Sequence, residues 1–148
     1  MADGVCVDAS LAIMWVLLER YSEEAERLRD SWLVANMPIF APPLFRAEVT
    51  SVIREQQYRG EMSEEDGQAT LDVALNWPVQ ITDPGSLLQQ QALALAARFN
   101  RPRAYDAQYL ALAQIAGCEL WTGDRRLVNS LQGELPWVKW VGDFSPGP

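Results

Sequence analysis

The sequence predicts an α/β fold, in which helices cover a mainly parallel sheet. Five short apolar or β-rich segments recur along the 148 residues, and segments with helical periodicity lie between them. Strands that alternate with helices are joined by crossovers, which make neighbouring strands parallel. No repeat, low-complexity tract or linker interrupts the pattern, so we expect one domain over residues 1–148, with a frayed tail at 145–148.

The predicted strands are spread along the whole chain. They are Val5–Val7, Ile39–Ala41, Val79–Thr82, Glu119–Thr122 and Trp137–Val141. Short apolar segments of this kind are typical of buried strands in a parallel sheet. Such folds bind ligands at the carboxyl ends of the strands, near the point where the strand order reverses.

Two helices are predicted between the first and second strands. The first covers residues 10–19, and the second begins at Ser22, a candidate N-cap followed by two glutamates. Apolar residues then recur at helical spacing as far as Ala35. Pro43 predicts the start of a third helix, which ends near Gln57.

The remaining helices are predicted from residues at their ends. Ser63, with an acid three residues later, predicts the cap of a fourth helix. Asp83–Pro84 predicts the start of a fifth, which runs to about Phe99. A sixth covers residues 105–116 and ends at Gly117.

Charge and composition limit the chemistry. The net charge of −8 argues against a protein that holds nucleic acid through a broad basic surface, although one acidic, metal-loaded site would still be compatible with it. The chain has no His, which excludes His triads, His general bases and most transition-metal sites. Any chemistry must therefore use carboxylates, hydroxyls or thiols.

The cysteines and the hydropathy indicate the compartment. Cys6 and Cys118 are far apart in sequence, and Cys6 lies in an apolar strand, where we expect a small buried hydrophobic side chain. A reducing, cytoplasmic setting fits this usage. No apolar run reaches the roughly 20 residues of a membrane span, and the N-terminus lacks a secretory pattern.

Two acids follow predicted strands. Asp8 ends the first strand, and Asp124 follows the fourth, two residues after Thr122. Each acid either caps the next helix or faces a ligand at the edge of the sheet. The residues alone leave both interpretations open.

Two further acids are predicted to point inward from helices. At about 100° per residue, Glu48 lies between Leu44 and Val52 on the apolar arc of the third helix. Asp106 shares a face with Tyr109 in the first turn of the sixth helix. The helix dipole contributes about 0.3–1 kcal/mol there, which is less than a buried lone charge costs. A partner is therefore needed, either an Arg or a cation.

All four acids would converge at the carboxyl edge of one sheet. Four carboxylates in one pocket stay ionised only if a cation neutralises them. Mg²⁺ and Mn²⁺ prefer oxygen ligands, organise a water nucleophile and offset charge on a phosphate. This chemistry requires no His.

Several segments resemble the PIN domain, and most closely the toxin-type PIN ribonucleases of the VapC class. They are "VCVDASLAIMWVL", "APPLFRAEVTSVI", "YDAQYLALAQIAGCELWTGDRRL" and "WVKWVG". The resemblance covers the chain from Val5 to about Asp143. It implies a three-layer α/β/α sandwich around a mainly parallel sheet of about five strands.

The resemblance also implies metal-dependent cleavage of RNA phosphodiester bonds with Mg²⁺ or Mn²⁺. Asp8 and Asp106 would be the main metal ligands. Glu48 and Asp124 would bind through water or complete the shell of a second ion.

Other residues match positions that support this pocket. Ser10 and Thr122 match small hydroxyls that orient ligands or water. Arg125 and Arg126 lie beside the pocket, where they would meet the RNA backbone or form a solvated pair after a turn. Arg103 is near enough in sequence to pair with Asp106 and compete with metal.

Members of the class form homodimers and are inhibited by a basic antitoxin protein. A strongly acidic surface suits a basic partner. Trp15, Leu18 and Trp32 could line a groove for an antitoxin segment, and a plain core role is the simpler interpretation.

Other functions remain possible from the sequence. One is an interaction module with a PIN-like fold and weak or no catalysis. Another is a phosphatase or receiver domain that uses Asp8, but such proteins need a Lys beside the acids, and Lys139 is the only Lys. A flap-type DNA nuclease would share the chemistry but usually has a larger, more basic surface.

Overall fold

A single parallel sheet lies at the centre of the computed structural model, which describes residues 3–145. The strands are β1 (Val5–Val7), β2 (Ile39–Ala41), β3 (Val79–Ile81), β4 (Glu119–Thr122) and β5 (Val138–Trp140). Every neighbouring pair is parallel, in the order β3-β2-β1-β4-β5. The prediction of a mainly parallel five-stranded sheet is confirmed, whereas the predicted frayed tail beyond Ser145 lies outside the described residues.

Helices cover the sheet to give a three-layer α/β/α fold. They are α1 (Ala9–Ala12), α2 (Ser22–Val34), α3 (Leu44–Tyr58), α4 (Glu64–Leu75), α5 (Ser86–Arg98), α6 (Tyr105–Ala116) and α7 (Arg125–Ser130). Short 3₁₀ turns follow α1 at Ile13–Trp15 and β5 at Val141–Asp143. Among the described residues, none of these helices has the length and apolar character needed to cross a membrane.

The strand order reverses at β1, which is the centre of the sheet. The chain proceeds from β1 to β2 and β3 on one side, then returns to β4 and β5 on the other. All three residues of β1 are buried, and Val5 pairs with both Ile39 and Glu119. The loops that leave β1 and β4 are therefore neighbours at the point where folds of this type bind ligands.

The first helix ends earlier than the sequence predicts. Helix α1 and its 3₁₀ turn stop at Trp15, and the following segment leaves Leu18 97% exposed. Ser22 was predicted to be the N-cap of α2, but it does not cap this helix. Its hydroxyl instead accepts the Glu19 N–H and donates to the Leu17 carbonyl. The hydroxyl closes this loop instead.

The start of the fifth helix also differs. Asp83 accepts the Gly85 N–H at 2.8 Å and forms a turn, so that α5 begins only at Ser86. By contrast, Ser63 caps α4 by accepting the Asp66 N–H, as predicted.

The core explains why α6 is apolar nearly all round. It packs against β1, β4 and α5 and buries six residues, and it ends at Gly117 in the left-handed conformation. Trp15 and Trp32 are also buried, at 7% and 6% exposure, which confirms the core role for both. Of the three residues considered for a groove, only Leu18 is open to solvent.

Candidate active site

Asp8 lies at the carboxyl end of β1 and is 6% exposed. One carboxylate oxygen accepts the Ser10 hydroxyl at 2.7 Å and the Leu11 N–H at 3.0 Å. The other accepts the Thr122 hydroxyl. Asp8 is thus the N-cap of α1, as one interpretation predicted, and it is also a buried carboxylate at the edge of the sheet.

The same hydroxyls join the loop after β1 to the loop after β4. Ser10 Oγ accepts the Gly123 N–H at 3.0 Å and lies 3.2 Å from Thr122 Oγ1. Thr122 Oγ1 accepts the Asp124 N–H at 3.0 Å. A Cβ on Gly123 would lie 2.8 Å from the Ser10 carbonyl oxygen, so only glycine permits this approach.

Burial raises the pKa of Asp8 to about 6. The hydrogen bonds from Thr122, Ser10 and the Leu11 N–H oppose this rise, and the negative charge of Asp106 adds to it. A carboxyl group with this pKa is poised for a nearby cation, which would favour its ionised form.

Glu48 projects from α3 towards α6. Its side chain is half-buried and accepts the Tyr109 hydroxyl at 2.5 Å. Burial raises the pKa of Glu48, the bond from Tyr109 opposes the rise, and Asp106 adds to it. The predicted inward direction of Glu48 is therefore found in the structure.

Tyr109 hydrogen-bonds Glu48 and lies within the electrostatic influence of Asp8. It is only 2% exposed, and burial together with the charges of Glu48 and Asp8 raises the pKa of its hydroxyl, which keeps it a proton donor. The sequence placed Tyr109 on the same face as Asp106 but did not identify it as a site residue. The sequence feature that could have identified Tyr109 is its position on the inward face of a helix that also carries an acid.

Asp106 lies in the first turn of α6 and forms an ion pair. Arg101 Nη2 donates to Asp106 Oδ2 at 2.8 Å, and both side chains are partly exposed. An Arg does pair with Asp106, but it is Arg101 and not Arg103 as predicted. The turn before α6 places Arg101 beside the carboxylate, whereas Arg103 is exposed.

Asp124 is the N-cap of α7. Its Oδ1 accepts the N–H groups of Arg126 and Leu127, at 2.9 and 3.3 Å. The predicted cap is present, and the Thr122 hydroxyl connects the backbone of Asp124 to Asp8.

The two predicted arginines after Asp124 differ in their surroundings. The Arg125 guanidinium lies 4.8 Å from the centre of the Trp140 ring, which itself contacts Tyr21 edge to face at 5.1 Å. Arg126 is exposed. Because the aromatic ring restricts Arg125, this side chain is held next to the loop that carries Asp124.

The structure therefore places Asp106 near enough to Asp8 and Glu48 for its charge to affect the pKa of both, and Thr122 connects Asp8 to the backbone of Asp124. These oxygens suit a hard divalent cation, and the pKa values of Asp8 and Glu48 are raised mainly by burial, with a smaller contribution from the charge of Asp106. Within residues 3–145, however, no three acids or thiols already enclose an ion-sized space. Part of the Asp106 carboxylate is occupied by Arg101 instead.

Comparison with known proteins gives a consistent result. The family model described as PIN domain matches residues 5–129. Ribonuclease VapC3 of Mycobacterium tuberculosis is 32% identical over 128 residues, which cover 86% of this chain and 88% of that protein. Ribonuclease VapC9 of the same species is 28% identical over 132 residues, or 89% and 94% of the two chains.

Solved structures share the fold. PAE2754 from Pyrobaculum aerophilum superposes with a TM-score of 0.69 at 20% identity, over 96% of this chain and 86% of that one. Mycobacterium tuberculosis VapC20, described as a toxin that cleaves the sarcin-ricin loop, gives 0.60 at 15% identity, over 86% and 95%.

Proposed function

Because the chain belongs to the PIN domain family, we propose that it is an endoribonuclease that hydrolyses RNA phosphodiester bonds, the toxin of a toxin–antitoxin pair. The observation that carries the proposal is the buried carboxylate of Asp8 at the switch point of the sheet, with Glu48 and Asp106 beside it. The ribonuclease names of the VapC relatives support the same reaction.

We propose Asp8 and Asp106 as the main ligands of Mg²⁺ or Mn²⁺, with Glu48 and Asp124 binding through water or completing the shell of a second ion. When bound, such an ion organises a water nucleophile and offsets charge on the scissile phosphate. The chain's own groups prepare the site. Ser10 and Thr122 hold the two oxygens of Asp8.

The remaining groups would position substrate and acids. Tyr109 orients the Glu48 carboxylate by donating a hydrogen bond to it. Arg125, restricted by Trp140, would contact an RNA phosphate beside the acids, and Arg126 would make a second contact.

The proposed partners follow from the same family membership. A basic antitoxin would complement a chain of net charge −8 and inhibit it in a cytoplasmic setting, and a homodimer is the proposed assembly. VapC20 is described as cleaving a ribosomal RNA loop, so structured RNA is the first substrate class to test.

One observation favours the alternative of a catalytically weak interaction module. Arg101 already neutralises part of Asp106, and no ion-sized group of acids is preformed among the described residues. If Arg101 only competes with the ion, Arg101→Gln should raise the affinity for Mg²⁺ in calorimetry, while Arg103→Gln, an exposed control in the same loop, should not. Unmeasurable Mg²⁺ and Mn²⁺ binding in wild type and Arg101→Gln alike would favour the module.

The deciding experiment is a cleavage assay on a panel of structured RNAs, with antitoxin-free protein and with Mg²⁺, Mn²⁺ or a chelator. We expect metal-dependent cleavage that Asp8→Asn and Asp106→Asn abolish. Asp72→Asn, an exposed acid on α4, is the matched control and should cut like wild type. Equal cleavage by the Asp8 variant, or cleavage in chelator, would reject the proposed site.

A further inference from the structure

The only two cysteines of the chain meet inside the fold. Cys6 lies in β1 and Cys118 immediately before β4, 112 positions later, yet their sulfur atoms are 3.4 Å apart. Both are free thiols and both are buried, at 0% and 5% exposure. The proposed nuclease chemistry uses neither of them.

The register of the sheet explains the contact. Cys6 pairs with Leu120 across the β1–β4 ladder, and Cys118 precedes Leu120 by two positions. Side chains two positions apart project from the same face of a strand, so both thiols lie on one face of the sheet. A disulfide requires sulfurs about 2.05 Å apart, so the atoms must approach by about 1.3 Å. Cys118 lies just outside the strand, between Gly117 and Glu119, and its N–H donates to the Ala113 carbonyl at 3.1 Å.

A small oxidant can approach one member of the pair. Cys118 lines a surface cavity of about 300 Å³, together with Ala113, Gln114 and Trp137. The hydrogen bond from Cys6 lowers the pKa of Cys118, so this thiol is the more readily ionised one. The thiolate is the reactive form of cysteine.

We propose that Cys6 and Cys118 form a peroxide-oxidisable dithiol that closes to an intramolecular disulfide between β1 and the start of β4. The Cys118 thiolate attacks one oxygen of hydrogen peroxide and becomes a sulfenic acid, and the other oxygen leaves as water after taking up a proton. The Cys6 thiol then attacks the Cys118 sulfur and releases a second water. Overall, two thiols and one peroxide give one disulfide and two waters.

This dithiol is distinct from the candidate active site. Cys118 precedes β4, whereas Thr122 and Asp124 lie at the opposite, carboxyl end of that strand. The proposal does not depend on ribonuclease activity, and its test can succeed or fail whatever the cleavage assay shows.

The test treats the reduced, full-length folded protein with hydrogen peroxide, then unfolds it and alkylates the remaining thiols. We expect neither thiol of the monomer to be alkylated. The disulfide-linked peptides that contain Cys6 and Cys118 should together be lighter than the two reduced peptides by two hydrogens. Dithiothreitol should restore both thiols. Oxidation of Met adds oxygen without removing a thiol, so peptide-level masses separate the two reactions.

Two variants assign the roles of the thiols. Circular dichroism confirms that each variant is folded. In Cys6→Ser, whose hydroxyl can still donate to the Cys118 sulfur, Cys118 should accumulate as a sulfenic acid that dimedone traps. In Cys118→Ala, Cys6 should stay reduced. Retention of both thiols by wild type, disulfides only between molecules, or equal oxidation of Cys6 in Cys118→Ala would overturn the proposal.

Discussion

Single residues decide the electrostatics of the candidate site, and Asp8 is the clearest case. Its carboxylate caps α1, accepts two hydroxyls and still has a raised pKa, because burial outweighs these hydrogen bonds. A residue used only as a cap would be expected nearer the surface, where solvation keeps the pKa low. The burial of Asp8 is therefore consistent with a second role.

Protonation of Asp8 should stabilise the metal-free fold. Its pKa rises from the ordinary 3.8 to about 6, so the folded protein binds this proton more tightly than the unfolded chain. The contribution is present below about pH 4 and is lost as the pH rises to about 6, with a size of about 3 kcal/mol. Asp8→Asn removes the titration, so its free energy of unfolding should rise relative to wild type across this window.

Urea unfolding from about pH 4 to pH 7, in chelator, measures this difference. Any constant cost of the substitution cancels when the pH values are compared. Asp72→Asn is the control and should show a flat difference. A flat difference for Asp8→Asn as well would mean that burial does not perturb this carboxyl group.

Tyr109→Phe should separate site organisation from folding. The change removes the hydrogen bond to Glu48 but keeps the buried ring, so we expect a loss of about 1 kcal/mol in stability. Because partners that orient ligands typically matter by about 10–100-fold, cleavage should fall by about 10-fold or more. Tyr58→Phe, 82% exposed at the end of α3, is the control, and equal cleavage by both variants would contradict the role of Tyr109.

At the scale of elements, the site depends on the close approach of two loops. The loop after β4 reaches α1 so closely that Gly123 donates its N–H to Ser10, and Thr122 bonds with Asp8. Neither loop forms this arrangement alone. The contact is the result of β1 and β4 being neighbours in the sheet.

Gly123→Ala should therefore damage both stability and the site. The added Cβ meets the Ser10 carbonyl oxygen at 2.8 Å and the Met14 side chain at 2.7 Å, and the backbone must move. We expect a loss of about 1–3 kcal/mol, measured by urea unfolding, together with reduced cleavage.

Gly67→Ala on α4 is the matched control. Its added Cβ meets only the flexible side chain of Gln57, and alanine favours a helix by about 0.5–1 kcal/mol over glycine. This variant should be as stable as wild type or more so. If Gly123→Ala changed neither stability nor cleavage, the close approach of the loop after β4 to Ser10 would not be required.

At the scale of the whole molecule, charge should limit how the protein holds RNA. With a net charge of −8, few cations are available: Arg101 is paired with Asp106, and Arg125 and Arg126 follow Asp124. Each phosphate contact to a single strand contributes a slope of about −0.7 in log K against log salt. We expect a slope of about −1.4 for binding of an uncleaved RNA by Asp8→Asn protein.

Arg125→Gln should reduce that slope by about half, since it removes one of the two contacts. The measurement is a salt series of RNA affinities by fluorescence anisotropy. Arg27→Gln, an exposed Arg on α2 paired with Glu23, is the control and should leave the slope unchanged. A steep slope near −5 would indicate a broad basic interface and contradict this prediction.

Local pattern was sufficient for most of the fold. Strand positions, the Ser63 cap and the Gly117 end of α6 depend on apolar segments and on groups close in sequence, and these matched the structure. The two predicted helix starts that were wrong, at Ser22 and Asp83, both involve a polar side chain that can hydrogen-bond either the helix or the preceding turn. In both cases its hydrogen bonds closed a turn before the helix instead of capping it.

The sequence by itself determined the α/β class, the parallel sheet, which acids follow strands and the inward direction of Glu48, because these depend on periodicity along the chain. Asp106, also predicted to point inward, is 41% exposed. Only the tertiary structure decided which groups meet. Three contacts depend on how strands and helices are placed relative to one another. They are the hydrogen bond from Tyr109 to Glu48, the ion pair of Asp106 with Arg101 and not Arg103, and the contact of Cys6 with Cys118. Such contacts depend on distances that no local pattern contains.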